Sequence, residues 1–416
     1  VDVVAEVMGD AYPDVGEKRG AIAGVIRLEE ERFQETLHEG VRRAEEMAEA
    51  AKESGRASLS GREVFLLYDT FGFPPDLARD IAEEHGLSID EAGFGEAMEE
   101  QRKRARAARR EAGGADLDEA LAEAAGGTPT EFVGYGELQA EATVLGLAVG
   151  GEVRGSAREG EEAQVVLDRT PFYPEGGGQV GDAGVIGGPS GRAEVLGTRR
   201  VPGGAVVHSC RVVEGLVSVG DRVTASVDAA RRAATARHHT ATHLVHSALR
   251  RVVGEHAAQA GSLVAPDRLR FDFTHYAPLS REQLAAVEEL VNAKVLEDIP
   301  VEALKTSLEE ARRMGALALF GEKYGEEVRV IRVGDFSMEL CGGTHVRSTG
   351  QVGLVLLLGE SSIGSGMRRI EAVAGFEALK RARELGATLD AVAGALKASP
   401  SEAARRVEEL HGQLRS

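Results

Sequence analysis

The chain has 416 residues, 43% of them hydrophobic and 28% charged, which is ordinary for globular protein and too long for a single core. Its formal net charge of −19 repels nucleic acid as a whole, so any RNA contact must come from local basic patches. Two cysteines, Cys210 and Cys341, exclude a disulfide framework and point to a reducing, cytoplasmic interior, while no apolar run nears the roughly 20 residues that span a bilayer.

Residue 1 is Val rather than Met, no charged-then-apolar signal segment opens the chain, and the chain starts inside a helical pattern, as a piece of a larger protein would. Residues 1–113 read as helical. Ile22 to Ala51 has few breakers and apolar residues at helical spacing, and Ser60 followed by Glu63 forms a capping box for a second helix. Gly72, Pro74 and Pro75 interrupt that helix. A charged helix follows from Glu96 to Glu111 and carries Arg102, Lys103, Arg104, Arg106, Arg109 and Arg110. These arginines are candidate RNA contacts; the plainer reading is a solvated face paired with Glu96, Glu99 and Glu100.

Gly113 to Pro129 is rich in small residues and reads as a linker. From Phe132 to Val227, short alternating runs such as Ala163-Gln164-Val165-Val166-Leu167 are split by Gly and Asp, the pattern of a small antiparallel barrel. Glu175-Gly176-Gly177-Gly178-Gln179 lacks the Gly-Lys-Ser/Thr ending of a phosphate loop and reads as a tight turn. Cys210, within a predicted strand, reads as a small buried hydrophobe. A helix resumes from Ala229 to Arg251. Helices (Arg281 to Val295, Glu309 to Ala318) and strands (Val328 to Val333, Val352 to Leu358) then mix, and residues 376–416 return to helix. The expected architecture is multidomain α+β. It comprises a helical domain at 1–113, linker and barrel at 114–230, an α+β metal-binding core at 231–375 and a helical segment at 376–416.

His239 and His243 are four apart, which on a helix places both imidazoles on one face. Far downstream, Cys341-Gly342-Gly343-Thr344-His345 lets a thiolate and an imidazole converge. Two such pairs make a tetrahedral three-histidine, one-cysteine set that suits zinc. On spacing alone His243 and His246 could pair instead. Thr240 stands where a zinc peptidase would carry its general-base Glu, so that class is disfavoured.

Several motifs together resemble the alanyl-tRNA synthetase family. They are Leu67-Tyr68-Asp69-Thr70-Phe71-Gly72-Phe73-Pro74, Asp90-Glu91-Ala92-Gly93-Phe94, Pro171 through Asp182, the two metal segments, Arg268 through Phe273, and Arg368 through Val373. The resemblance covers roughly residues 1–375. It implies zinc on His239, His243, Cys341 and His345, in a domain that hydrolyses tRNA(Ala) mischarged with serine or glycine. It implies an editing-site glutamine at Gln259, with Ser262 beside it, and an acceptor-stem contact at Asp69. It also implies that the ATP-dependent aminoacylation domain precedes this segment, and that a C-terminal domain supporting dimerisation follows it. The segment alone is then expected not to activate alanine and to be monomeric. Thr240 and Thr242 flank the ligands as candidates for the seryl hydroxyl, with helix-face packing as the alternative. Arg231, Arg232 and Arg237 form a second candidate tRNA-binding cluster beside Arg102 and Arg106. Four protein ligands close a zinc site, so for a catalytic ion one bond, to Cys341 or one His, is expected to be long or replaced by water. Two rival classes are a zinc-stabilised RNA-binding module without catalysis and a zinc amidase for small molecules.

Overall fold

The computed structural model describes residues 1–17, 19–111, 115–318, 325–364 and 366–415; within these, the side chains at 14, 21, 28, 32, 35, 36, 104–111, 115 and 116 lie outside the description. The chain divides into two compact units, Val1–Gly114 and Ala115–Ser416.

The first unit is helical, built on Arg19–Glu53, Gly61–Phe71, Pro75–Glu84 and Glu91–Glu111. Ser60 and Glu63 form the expected capping box, and Gly72 closes that helix in the left-handed conformation at φ 61°. Pro75 then occupies the first turn of the next helix, where its missing N–H costs nothing. Ala44, Ala48 and Ala51 pack with Leu67, Phe73 and Ala78 into one core. Gly61 is required there, because a Cβ would lie 2.0 Å from the Gly93 carbonyl carbon.

The second unit begins with a correction. Within the small-residue stretch expected to be a linker, Ala115–Ala124 is a helix. Its Leu117, Leu121 and Ala125 recur every four residues and pack on Ala148, Val166 and Val207 of the barrel wall. The barrel has six strands: Gln139–Val149, Glu162–Leu167, Gly184–Gly187, Gly191–Arg200, Val206–Ser218 and Arg222–Val227. Its ring closes where Gly191–Arg200 pairs with Val206–Ser218, so the principal strands leave no open edge. Alternating Ala and Val fill the interior together with Cys210, which is 3% exposed.

Beyond the barrel, a four-stranded antiparallel sheet runs in the order Gln259–Val264, Leu269–Thr274, Met367–Ala374, Val355–Gly364. Helices Ala229–Val252 and Arg281–Leu296 cover it through Leu244, Ala248, Val287 and Val291 against Phe271 and Ile370. A second sheet joins Val301–Ser307, Glu327–Val333 and Ser337–Leu340. The helix expected from Glu309 to Ala318 is shorter, Leu308–Arg313, because Gly315 turns the chain at φ 84°. The strand expected from Val352 starts at Val355, after a 3-10 turn over Thr349–Val352 and a positive φ at Gly353. The C-terminal segment is two helices, Phe376–Leu396 and Ala403–Arg415, parted at Lys397 and Pro400. Among the described residues no helix is long and apolar enough to cross a membrane.

Candidate metal centre

Helix Ala229–Val252 runs through the middle of the second unit, capped at its start by the Asp228 side chain. One turn separates His239 from His243, and their ring centroids stand 5.4 Å apart on one face. The loop after strand Ser337–Leu340 brings Cys341 and His345 to the same place. Cys341 Sγ lies 3.3 Å from His239 Nε2 and 3.3 Å from His345 Nε2. The four potential ligand atoms all fall within 4.8 Å of one another. A tetrahedral zinc with ordinary Zn–S and Zn–N lengths separates its ligand atoms by about 3.6 Å. The donor set therefore fits a metal ion.

Backbone approach makes this possible. A Cβ on Gly343 would stand 2.0 Å from His239 Cε1, so only glycine lets the loop close on the helix. Three carbonyls of that loop are tied down from outside. Arg329 Nη1 donates to Cys341 O (3.0 Å) and Gly343 O (2.7 Å), and the Tyr135 hydroxyl donates to Gly342 O (2.6 Å).

Each imidazole also has a neighbour at its other nitrogen. His239 Nδ1 donates to Gln179 Oε1 at 2.7 Å. His345 Nδ1 faces Thr240 Oγ1 at 3.1 Å, and His243 Nδ1 faces Glu339 Oε2 at 3.3 Å. These contacts leave all three Nε2 atoms for the metal, the arrangement that orients metal-binding histidines in general. His246 does not compete: its Nδ1 turns to Glu339 Oε1 at 3.1 Å. His238 points elsewhere, its Nε2 accepting from the Ala374 amide at 3.0 Å. Burial pushes the imidazoles of His239 and His345 well below their ordinary value, and it lowers His243 as well. Burial pushes the Glu339 carboxyl up, but His243, His246 and Ser337 beside it outweigh that and bring it to about 2. Neutral imidazoles around a fixed carboxylate are the protonation states a cation needs.

A cavity of about 40 Å³ opens beside the ligands, bordered by Thr242, Gln259, Ser262 and Glu339 as well as His239, His243 and Cys341. Gln259 Nε2 donates to Ser262 Oγ at 3.1 Å, so these two act as one polar edge. Thr242 Oγ1 donates to His238 O at 2.8 Å. Thr240 is not on this cavity and serves His345 instead.

The candidate RNA contacts are scattered. Asp69 is exposed on Gly61–Phe71 and accepts from Gln101 Nε2 at 2.6 Å. Arg102 is exposed on Glu91–Glu111, Arg231 is exposed at the start of the long helix, and the Arg106 side chain lies outside the described residues. Arg237 is half-buried, its Nε donating to Gln351 O at 3.1 Å. Arg232 needs correction as an RNA contact. It is 7% exposed and its guanidinium is spent on Asp182 and on the carbonyls of Gly134 and Pro171.

Four residues at the centre carry no site signal in the motifs read from the sequence. Gln179 ends the glycine-rich turn and gives no spacing signal toward His239. Tyr135 and Arg329 act through loop carbonyls, which spacing does not reveal. Glu339 was findable: two residues before Cys341, on the strand that leads into it, it shares that residue's face.

The sequence pattern of the family described as tRNA synthetases class II (A) matches residues 1–231. That described as the threonyl and alanyl tRNA synthetase second additional domain matches residues 328–371, which include Cys341 and His345. The alanine–tRNA ligase of Pelotomaculum thermopropionicum is 51% identical over 411 residues, covering 98% of this chain and 47% of that protein. Those of Geobacillus thermodenitrificans and Thermus thermophilus are 49% and 50% identical, over 100% and 99% of this chain and 47% and 48% of their own lengths. The chain thus spans about half the length of the curated relatives it matches.

Proposed function

The chain belongs to the alanyl-tRNA synthetase family of class II (A) tRNA synthetases, and from that premise we propose that its second unit is an editing hydrolase for mischarged tRNA(Ala). The bond broken is the ester joining serine or glycine to the terminal ribose. The carrying observation is the convergence of His239, His243, Cys341 and His345 beside a polar cavity edged by Gln259 and Ser262. Zinc is the ion this donor set favours, and when bound it supplies Lewis acidity toward the ester carbonyl.

The protein's own groups supply the selection. Gln259 and Ser262 offer hydrogen-bond partners to a seryl hydroxyl at the cavity edge, which Thr242 also borders. Alanine offers no hydroxyl to this edge, so it gains none of the hydrogen bonds that a seryl group makes there. Glu339, held as a carboxylate in the same wall, offers a negative charge toward the ammonium of the aminoacyl group. In the first unit, Asp69 on its exposed helix face is the proposed acceptor-stem contact, joined by Arg102 and Arg106.

Deacylation of seryl-tRNA(Ala) by the full chain tests this reading. Hydrolysis with zinc bound, lost in Cys341→Ala and strongly reduced in Gln259→Ala, is the expected result. A zinc-loaded chain that leaves seryl-tRNA(Ala) intact refutes it and leaves a metal-stabilised RNA-binding module.

A further inference from the structure

The cavity beside the ligands is small, about 40 Å³. A larger one, of about 480 Å³, lies on the other side of the Cys341–His345 loop. Cys341, Gly342 and Gly343 face the small cavity, whereas Thr344 and His345 face the large one. The loop therefore borders both cavities, and Tyr135, which holds Gly342 O, stands on the larger one.

The charge around this second cavity is opposite to that of the chain. Arg237, Arg329 and Arg347 line it beside Arg232, whose guanidinium is spent on Asp182, and among the described residues none of the first three has a carboxylate partner. Among the described residues, Glu137 is the one acidic residue on its wall. In a chain of net charge −19, where many arginines are paired, three arginines without carboxylates around one concavity form a built anion site. Tyr135 adds an aromatic surface. It is 51% exposed, and the Arg329 guanidinium lies 4.2 Å from its ring centroid. Arginines beside an exposed ring are the combination that takes single-stranded nucleic acid, phosphates on the cations and a base against the ring.

We infer that this cavity binds the single-stranded 3′ end of an RNA, seating its phosphates on Arg237 and Arg347 beside the loop that carries Cys341 and His345. The inference rests on the editing reading for the identity of the RNA, but the cavity's charge and shape are independent of it. Arg329 is unsuitable as a probe because it also holds the loop carbonyls. Arg347 is exposed and free of that duty, and Arg237→Gln keeps side-chain bulk where Arg237 meets Gln351 and Phe376.

The experiment measures binding of a six-nucleotide RNA ending in CCA to the zinc-loaded full chain as a function of salt. Each single-strand phosphate contact contributes about 0.7 to the slope of log K against log salt. Arg347→Ala should lower the slope by about 0.7, and Arg237→Gln with Arg347→Ala by about 1.4. Zinc content should be unchanged in both, and Arg281→Ala, which removes an exposed arginine outside the cavity, should leave the slope as it is. In the deacylation assay the double variant should raise KM roughly tenfold with kcat unaltered. A wild-type slope in the double variant, or an equal change in Arg281→Ala, overturns the inference. Arginine-dependent RNA binding without ester hydrolysis sustains this site while the editing reading fails. Hydrolysis whose KM ignores both arginines does the reverse.

Discussion

Gln179 is the residue whose removal discriminates best between a metal centre assembled by two subdomains and a barrel that merely lies beside one. It comes from the barrel's glycine-rich turn and is fully buried. Its Oε1 accepts from His239 Nδ1 at 2.7 Å and from the Thr344 amide at 2.8 Å, while its Nε2 donates to Thr344 Oγ1 at 3.0 Å. Gln179→Ala strips the acceptor from two buried donors, one of which holds the tautomer that points Nε2 of His239 at the metal. Partners of this kind are worth about 10–100-fold in metal affinity, or about 1.4–2.8 kcal/mol. We expect a loss of that size in zinc affinity, measured by competition with a chromophoric chelator. Gln179→Glu restores an acceptor for both donors and should recover most of the affinity, with the Thr344 hydroxyl turning to donate to the new carboxylate. Zinc affinity within twofold of wild type in Gln179→Ala, with only the melting temperature lowered, would refute the reasoning and make Gln179 a packing residue.

Three other outcomes follow from the geometry. Gly343→Ala drives a Cβ to within 2.0 Å of His239 Cε1 and should abolish zinc retention while the circular dichroism of the barrel persists; a zinc-replete Gly343→Ala protein contradicts the close-approach argument. In chelated protein, His239, His243 and His345 are held below their ordinary pKa by burial, and His208 in the barrel is lowered by burial to about 4. The unfolded chain then binds more protons below about pH 6.5. Stability should be full above that pH and should fall at about 1.4 kcal/mol per pH unit for each histidine as pH drops; a urea midpoint that is flat between pH 7 and 5 excludes neutral buried imidazoles. Arg232→Ala leaves Asp182 buried without its cation and should cost about 3–5 kcal/mol of stability. RNA affinity at a temperature where the variant is folded should not change, and a selective loss of RNA binding would return Arg232 to the surface cluster.

The parts of this protein legible in its sequence were those written in local periodicity. His239 and His243 lie one helical turn apart on a helix with a clear cap, and Cys341 and His345 flank two glycines, so the ligands could be paired without knowledge of the fold. The barrel was legible because its strands alternate. The helix at Ala115–Ala124 was hidden because alanine and glycine resemble a linker in composition, yet the stripe Leu117, Leu121, Ala125 carries the packing. Arg232 departs from its sequence neighbours for a related reason. Its neighbours Arg231 and Arg237 share its charge, but the helical turn that exposes Arg231 aims Arg232 at Asp182, fifty residues away in sequence.

What periodicity cannot carry is the meeting of distant loops, and the centre depends on such a meeting. Two close approaches bring the barrel turn, the long helix and the loop after Glu339 together. A Cβ on Gly178 would stand 2.2 Å from Ser262 Oγ, as one on Gly343 would meet His239. Each glycine gives up conformational entropy on folding and gains contact that no larger residue allows. The first contact seats the barrel on the strand bearing Gln259 and Ser262, and the second seats the cysteine loop on the ligand helix. Gln179 bridges the two, touching His239 and Thr344 at once. The glycine run and its glutamine therefore serve the four-residue cluster as well as the barrel, because Gln179 Oε1 fixes the proton of His239 Nδ1 while Glu175 pairs with the barrel strand at Thr198.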